Sequence, residues 1–205
     1  MVAGLAVRTF LTMLVVVDPV GLVPMFLALA GERDAAEQRR VALRAILVAA
    51  GILVSFGLGG AWLMGWLGIS LDAFRVAGGV LLFRIAVQMV FASYERETKA
   101  EKDESRLRRD ISVFPLAIPI IAGPGAIASL LILIGESKAY PLGFVLVLAM
   151  TGFVLMLAHL ALIVSEPVGR LLGQTGVNVV TRVLGVLLAA LAVQYVADGV
   201  RGFLA

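Results

Sequence analysis

Residues 15–29 read VVVDPVGLVPMFLAL, and this stretch decides what kind of chain carries it. It lies inside an apolar run from Leu5 to Ala30, which is long enough to cross the hydrocarbon core of a bilayer, since that takes roughly 20 residues of α-helix. An acid, Asp18, and a helix-breaking residue, Pro19, stand in the middle of the run. Both are costly at the centre of a membrane span. The stretch therefore predicts a transmembrane helix that is broken at a functional position.

The composition of the whole chain agrees with a membrane environment. Of its 205 residues, 61% are hydrophobic and 15% are charged, whereas a soluble domain is roughly 45–50% apolar and about 25% charged. The sequence predicts an all-α polytopic membrane protein with six transmembrane helices, of which the first and fourth are broken. The apolar runs cover approximately residues 5–30, 45–67, 71–92, 111–135, 142–164 and 177–200. This composition excludes a soluble domain and a disordered chain, and the absence of cysteine excludes disulfides and thiolate metal sites.

Lysine and arginine gather in two of the connecting segments, and this asymmetry predicts the orientation. The segments hold Arg33, Arg39, Arg40 and Arg44, and Arg96, Lys99, Lys102, Arg106, Arg108 and Arg109. Positive loops stay on the cytoplasmic side, so both termini are predicted to lie outside, in the cytoplasmic (inner) membrane of a bacterium. Residues 94–110 are predicted to form a solvated helix. The net charge of +3 therefore reflects membrane orientation, and no nucleic acid is expected as a partner.

The third and sixth runs resemble each other. Residues 79–90 read GVLLFRIAVQMV and residues 185–196 read GVLLAALAVQYV, which are identical at eight of twelve positions. Pro19 and Pro124 stand at nearly the same offset, each inside a Gly/Pro cluster. These matches indicate an internal duplication.

The duplication predicts how the two halves are arranged. The chain is a single membrane domain, residues 1–205, divided into residues 1–104 and 105–205 with three spans each. Because three is an odd number, the second half enters the membrane from the opposite side. This predicts the 3+3 inverted repeat that secondary transporters use.

The two Gly/Pro clusters predict the binding site. Proline lacks a backbone N–H and glycine permits unusual dihedrals, so both clusters should open the helix in mid-span. Such openings are tolerated where they are buried in protein or line an aqueous cavity, and matched openings mark transporter sites. The predicted site residues are Asp18, Pro19, Gly21, Gly123, Pro124, Gly125 and Ala126. An ordinary proline kink is the simpler alternative, and the sequence leaves open whether the broken segments are kinked spans or re-entrant hairpins.

Three further polar residues are assigned to the same site. Arg84 lies past the middle of the third span, and Gln88 and Gln194 occupy equivalent positions of the repeat. Arg84 either pairs with Asp18 or extends toward the headgroups. Each glutamine either binds the substrate or bridges neighbouring helices. Two hydroxyl side chains near the breaks are weaker candidates: Thr12 and Ser129.

The sequences around the two breaks resemble a known family. VVVDPVGLVPMFLAL in the first span and FPLAIPIIAGPGAIASLLIL, residues 114–133, in the fourth are similar to the MarC family of integral membrane proteins. The resemblance extends over nearly the whole chain. That family is also classed with the small neutral amino acid transporters. The resemblance implies six spans and transport of amino acids such as glycine or alanine.

The leading hypothesis is a secondary transporter of small neutral amino acids that works by alternating access in the lipid bilayer. Coupling to protons or sodium and assembly into a homo-oligomer are left open, and no cofactor or metal is expected. The alternative is a flippase for an anionic polyprenyl or phospholipid carrier, whose phosphate Arg84 would bind. An enzyme is not expected, because a chain with one histidine and no cysteine offers no nucleophile–base pair or metal motif.

Overall fold

The computed structural model describes residues 2–31, 33–91 and 111–204. All regular secondary structure in these ranges is helical. The helices are α1 (Val2–Val17), α2 (Pro19–Ala30), α3 (Ala35–Trp66), α4 (Leu71–Val90), α5 (Ser112–Ile121), α6 (Pro124–Ser137), α7 (Gly143–Ile163) and α8 (Ser165–Leu204). The helix predicted over residues 94–110 falls outside the described ranges.

The helices provide enough length and apolarity for six membrane spans. Five helical stretches, including α1 and α2 together as one, are long and apolar enough by themselves, and the bent pair of α5 and α6 qualifies as a sixth when it is taken as one span. Outward-facing apolar side chains such as Leu58, Val80 and Val186 are more than half exposed, as expected where lipid is the solvent. The prediction of an all-α polytopic membrane protein is confirmed.

The first break is a single residue long. α1 ends at Val17, Asp18 adopts a left-handed conformation (φ 44°, ψ 69°), and α2 begins with Pro19. Proline is favoured at the first position of a helix because its missing N–H would have no partner there. Backbone hydrogen bonds continue across the break, from Asp18 N to Leu14 O and from Leu22 N to Asp18 O, both 3.0 Å long. α1 and α2 thus form one interrupted span.

The second break is longer and more irregular than the sequence analysis indicated. α5 is a wide, π-type segment with extended backbone at Phe114 and Ile118, and each of these residues precedes a proline joined by a cis peptide bond. Gly123 then precedes α6, which begins with Pro124 and is bent by 52° from α5. The irregularity begins before the Gly/Pro cluster because two earlier prolines also lack the N–H that a regular helix needs.

α4 and α8 pack against each other over most of the length of α4. A Cβ on Gly79 would lie 2.7 Å from the carbonyl oxygen of Ala192, and a Cβ on Gly185 would lie 3.2 Å from that of Ala86. The two helices are therefore antiparallel. The repeat offset of 106 relates Gly79 to Gly185 and Ala86 to Ala192, so the repeat converts one of these contacts into the other. An inverted repeat requires contacts of this kind, and the repeat itself remains a prediction.

Two helices begin earlier than the apolar runs. α3 starts at Ala35, where the Asp34 side chain accepts a hydrogen bond of 2.7 Å from Glu37 N. α8 starts at Ser165 and is kinked at Gly173, whose φ is 59°. Hydropathy locates only the part of a helix inside the membrane, whereas the helix itself continues until caps or breaking residues end it.

Candidate functional site

Asp18 is buried at the junction of α1 and α2, with 9% of its surface exposed. Its Oδ1 accepts a hydrogen bond of 3.0 Å from Gly21 N, so the carboxylate caps the first turn of α2. It also lies at the positive end of the α2 dipole, which favours a negative charge. The carboxylate of Asp18 is therefore held in place by the first turn of the helix that begins at the break.

The carboxylate of Asp18 also faces α8. The hydroxyl of Thr181 lies beside it, although Thr181 Oγ1 is buried and forms no hydrogen bond of ordinary geometry with any residue that the structure describes. A Cβ on Gly21 would overlap Asp18 Oδ2 and approach Thr181 Oγ1 to 3.2 Å. The absence of a side chain at Gly21 therefore gives the carboxylate its place next to Thr181.

Replacing Gly21 by alanine is expected to lower the melting temperature in detergent. The new methyl group would displace the Asp18 carboxylate, and loss of an N-cap destabilises a protein by roughly 0.5–2 kcal/mol. Each kcal/mol corresponds to about 2–4 °C in a chain of this size. Gly4→Ala is the matched control, because a Cβ there meets nothing within 4 Å. Equal melting temperatures for the two variants would contradict the account of Gly21.

The second break lies directly against the first. A Cβ on Gly125 would lie 2.8 Å from Ile85 Cδ1, 3.0 Å from Leu82 Cδ2 and 3.9 Å from Val16 Cγ1. Val16 is two residues before Asp18. The first turn of α6 is thus packed between the end of α1 and the middle of α4. The second cluster thus packs beside the helix that leads into the first break.

The start of α6 retains backbone donors. Gly123 has no side chain with which to cap the helix, and no side chain in the described ranges caps it. Gly123, Gly125 and Ala126 are buried, whereas Pro124 is exposed. The N–H groups of a first helical turn together with the helix dipole form a binding site for an anion. The two breaks therefore offer a carboxylate on one side and N–H donors on the other.

The other predicted site residues are less buried. Arg84 lies on an exposed part of α4, and Gln88 is half-buried. Gln194 is exposed and its Nε2 donates a hydrogen bond of 2.7 Å to Asp198 Oδ1, one turn along the same helix. In this conformation Gln194 therefore bonds along its own helix. The assignment of these three residues to the site remains a prediction.

A group of charged residues that the sequence analysis did not connect lies at one end of the bundle. Glu136 of α6 pairs with Arg8 of α1 (Nη1 to Oε2, 2.9 Å) and with Arg75 of α4 (Nη2 to Oε1, 3.5 Å). Arg75 Nη1 also lies 2.8 Å from Asp72 Oδ1. We call these four residues the Glu136 cluster. Their sequence positions, each near the end of a span, gave no indication that they meet.

Fold and site together define the class of protein: a multi-pass integral membrane protein with five or six candidate helical spans and a buried acid at a broken helix. The chain belongs to the MarC family of integral membrane proteins, whose sequence model matches residues 4–204. The resemblance noted above is thereby confirmed.

Relatives with the name UPF0056 membrane protein occur in distant bacteria. One from Aquifex aeolicus is 39% identical over 98% of this chain and 94% of the relative. YhcE from Escherichia coli is 38% identical over 95% of this chain and 91% of its own. YvbG from Bacillus subtilis is 35% identical over 98% and 97%, respectively. No solved structure matches the chain significantly.

Proposed function

We propose that this protein is a secondary transporter of small neutral amino acids, such as glycine and alanine, across the cytoplasmic membrane. One observation carries the proposal. A buried carboxylate caps the helix that begins at the first break, and the uncapped first turn of α6 at the second break packs beside Val16, two residues before that carboxylate. The resemblance to a family classed with such transporters supports the same substrate. The proposal assigns no covalent chemistry to the site.

The chemistry of the two breaks suits a zwitterion. The ammonium group would bind the carboxylate of Asp18 and the hydroxyl of Thr181, and the carboxylate would accept N–H groups from Gly125 and Ala126. Both charged ends of the ligand would then be paired, which burial in the membrane requires. The carboxylate at the first break and the N–H groups at the second thus suit the ammonium and the carboxylate groups of an amino acid, respectively.

The packing around the second break favours a small side chain. Leu82 and Ile85 of α4 lie so close to Gly125 that even an added methyl group would touch them. A pocket bounded by such side chains discriminates against each extra methylene by roughly 1–3 kcal/mol. Glycine and alanine should therefore bind better than valine or leucine.

Transport in this proposal proceeds by alternating access between the two halves of the chain. The paired breaks and the antiparallel contact of α4 with α8 support it, because inverted halves around a central site can exchange inward-open and outward-open states. We further propose that a proton or sodium gradient drives accumulation, since a buried carboxylate such as Asp18 can bind either cation. Imposing each gradient separately on proteoliposomes distinguishes the two.

The function is tested by counterflow. Proteoliposomes loaded with unlabelled glycine or alanine are expected to take up the labelled amino acid well above protein-free liposomes. Excess valine or leucine outside should compete weakly, and excess alanine strongly. Uptake equal to that of protein-free liposomes, with correctly folded protein, would exclude the proposal.

Transport of an anionic lipid carrier is the second candidate, and one observation favours it. Arg84 occupies an exposed part of a membrane span, where a lipid phosphate could reach it. A ligand that binds the folded state raises its melting temperature. In detergent, stabilisation by glycine or alanine would favour the amino acid transporter. Stabilisation by a polyprenyl phosphate, and its loss in Arg84→Ala, would favour the lipid carrier.

A further inference from the structure

A set of buried hydroxyl groups lies between the Glu136 cluster and the two breaks. Tyr195 of α8 is fully buried, its side chain lies beside Thr12 of α1, and it is within electrostatic reach of Glu136, Arg8 and Arg75. Ser129 of α6 is also fully buried. We call Thr12, Ser129 and Tyr195 the hydroxyl cluster.

The course of α1 and α6 places Ser129 at the level of Thr12. The two helices are antiparallel, because Val16 contacts Gly125 near one end of α6 and Arg8 pairs with Glu136 near the other. Thr12 is one helical turn from Val16, and Ser129 is one turn from Gly125. The hydroxyl cluster therefore lies about one helical turn from the breaks, in the direction of the Glu136 cluster.

The hydroxyls of this region differ from other buried hydroxyls of the protein in their hydrogen bonding. Thr151 and Ser137 each donate to a carbonyl of their own helix, at 2.8 Å. Among the described residues, the hydroxyls of Ser129 and of Thr9, one turn from Thr12, have no hydrogen-bond partner. Tyr195 Oη forms no hydrogen bond of ordinary geometry there, although Thr12 lies beside it. Buried polar groups in an apolar medium normally have partners. The hydroxyls of Ser129 and Thr9 therefore have hydrogen-bonding capacity that the described residues leave unused.

The Glu136 cluster closes the bundle above these hydroxyls. Its ion pairs join α1, α4 and α6, and the carboxylate of Asp72 packs against Gly202 of α8. The side chain of Glu136 is only 16% exposed. Four helices are thus held together at this end of the bundle.

We propose that the hydroxyl cluster is a transit site for a small zwitterion, and that the Glu136 cluster is the gate that closes its route to the breaks. This inference rests on the proposed function. Hydroxyls both donate and accept, so they can solvate the ammonium and the carboxylate of the same ligand. At the gate, Glu136 can pair with the ammonium group of the ligand in place of an arginine. Arg8 and Arg75 can pair with the carboxylate of the ligand, so that all charges stay paired during passage.

The absence of natural cysteines makes the gate testable by chemical labelling. Single-cysteine variants Thr12→Cys and Ser129→Cys, reconstituted in nanodiscs, are labelled with a water-soluble maleimide. Both cysteines are expected to react slowly when Glu136 is intact. Adding Glu136→Gln, which removes the charge but keeps the side-chain volume, is expected to raise both labelling rates at least tenfold. Arg8→Gln breaks one of the same ion pairs and should act in the same direction.

Two controls separate a gate from general loosening. Glu166→Gln makes the same chemical change in an exposed ion pair with Arg170, 3.6 Å apart, and should leave the labelling rates unchanged. Thr151→Cys places the probe on a buried position of α7 that does not belong to the hydroxyl cluster. Unchanged labelling of the route positions in Glu136→Gln would overturn the inference, and so would an equal increase at position 151.

The labelling test separates this inference from the proposed function. Opening of the route by Glu136→Gln requires no substrate, so it can succeed even if glycine counterflow is absent. Glycine is then added during labelling of Ser129→Cys with Glu136→Gln, and slower labelling is expected. Faster labelling in Glu136→Gln that glycine does not slow would support the gate, but it would overturn the proposal that a zwitterion occupies the hydroxyl cluster.

Discussion

Replacing Asp18 by asparagine is expected to reduce counterflow of glycine and alanine by roughly tenfold or more while the fold is retained. Asparagine caps a helix about as well as aspartate, so the hydrogen bond to Gly21 can persist. The negative charge that would bind the ammonium group is lost. Hydrogen bonds to charged groups contribute about 1.5–3 kcal/mol, which corresponds to roughly ten- to hundredfold in affinity.

Asp34→Asn is the matched control for this substitution. Asp34 is also an N-cap aspartate, since it accepts from Glu37 N, but it lies at the exposed start of α3. Its replacement should leave counterflow unchanged. Labelled uptake by the two variants is compared at equal amounts of reconstituted protein. Full activity of Asp18→Asn would show that the charge of Asp18 does not bind the substrate.

Replacing Gly79 by alanine is expected to cause the largest loss of stability among single glycine substitutions in α4. The new Cβ would lie 2.7 Å from the carbonyl oxygen of Ala192 and 3.0 Å from the backbone nitrogen of Val196. Backbone atoms cannot move aside as a flexible side chain can, and overpacking typically costs about 1–3 kcal/mol. The better helix propensity of alanine, about 1 kcal/mol, offsets only part of this loss.

Gly59→Ala in α3 provides the comparison for Gly79→Ala. Its Cβ would meet nothing within 4 Å, so only the favourable change in helix propensity remains. Thermal unfolding in detergent should therefore show a lower melting temperature for Gly79→Ala and an equal or higher one for Gly59→Ala. A melting temperature of Gly79→Ala at or above that of the unmodified protein would mean that α4 and α8 are not packed as described.

The features that the sequence predicted well are those determined by local chemistry. The number of spans follows from the length of apolar runs against the thickness of a bilayer. The positions of both breaks follow from proline and glycine, whose effects on the backbone do not depend on distant partners. For this reason the clusters that contain Pro19 and Pro124 could be recognised in advance as the places where helices break.

The features that the sequence did not predict depend on which helix faces lie against each other. Thr181 is 163 positions from Asp18, and hydroxyls are common in membrane helices, so no pattern linked the two. The Glu136 cluster likewise joins residues that are far apart in the chain, Arg8 and Glu136 among them. The irregular start of the second break depends on Pro115 and Pro119, which lie before the Gly/Pro cluster that indicated the break.

The position of the second break determines how far the opposite end of α6 moves when this helix tilts. α6 has its bend at Gly123, beside the first break, and carries Glu136 near its opposite end. With a rise of 1.5 Å per residue the helix is roughly 20 Å long, so tilting it by about 10° would displace the far end by about 3.5 Å. That displacement exceeds the tolerance of an ion pair at 2.9 Å. A rigid rod pivoting at the break would thus convert a slight rearrangement there into separation of charges at the other end.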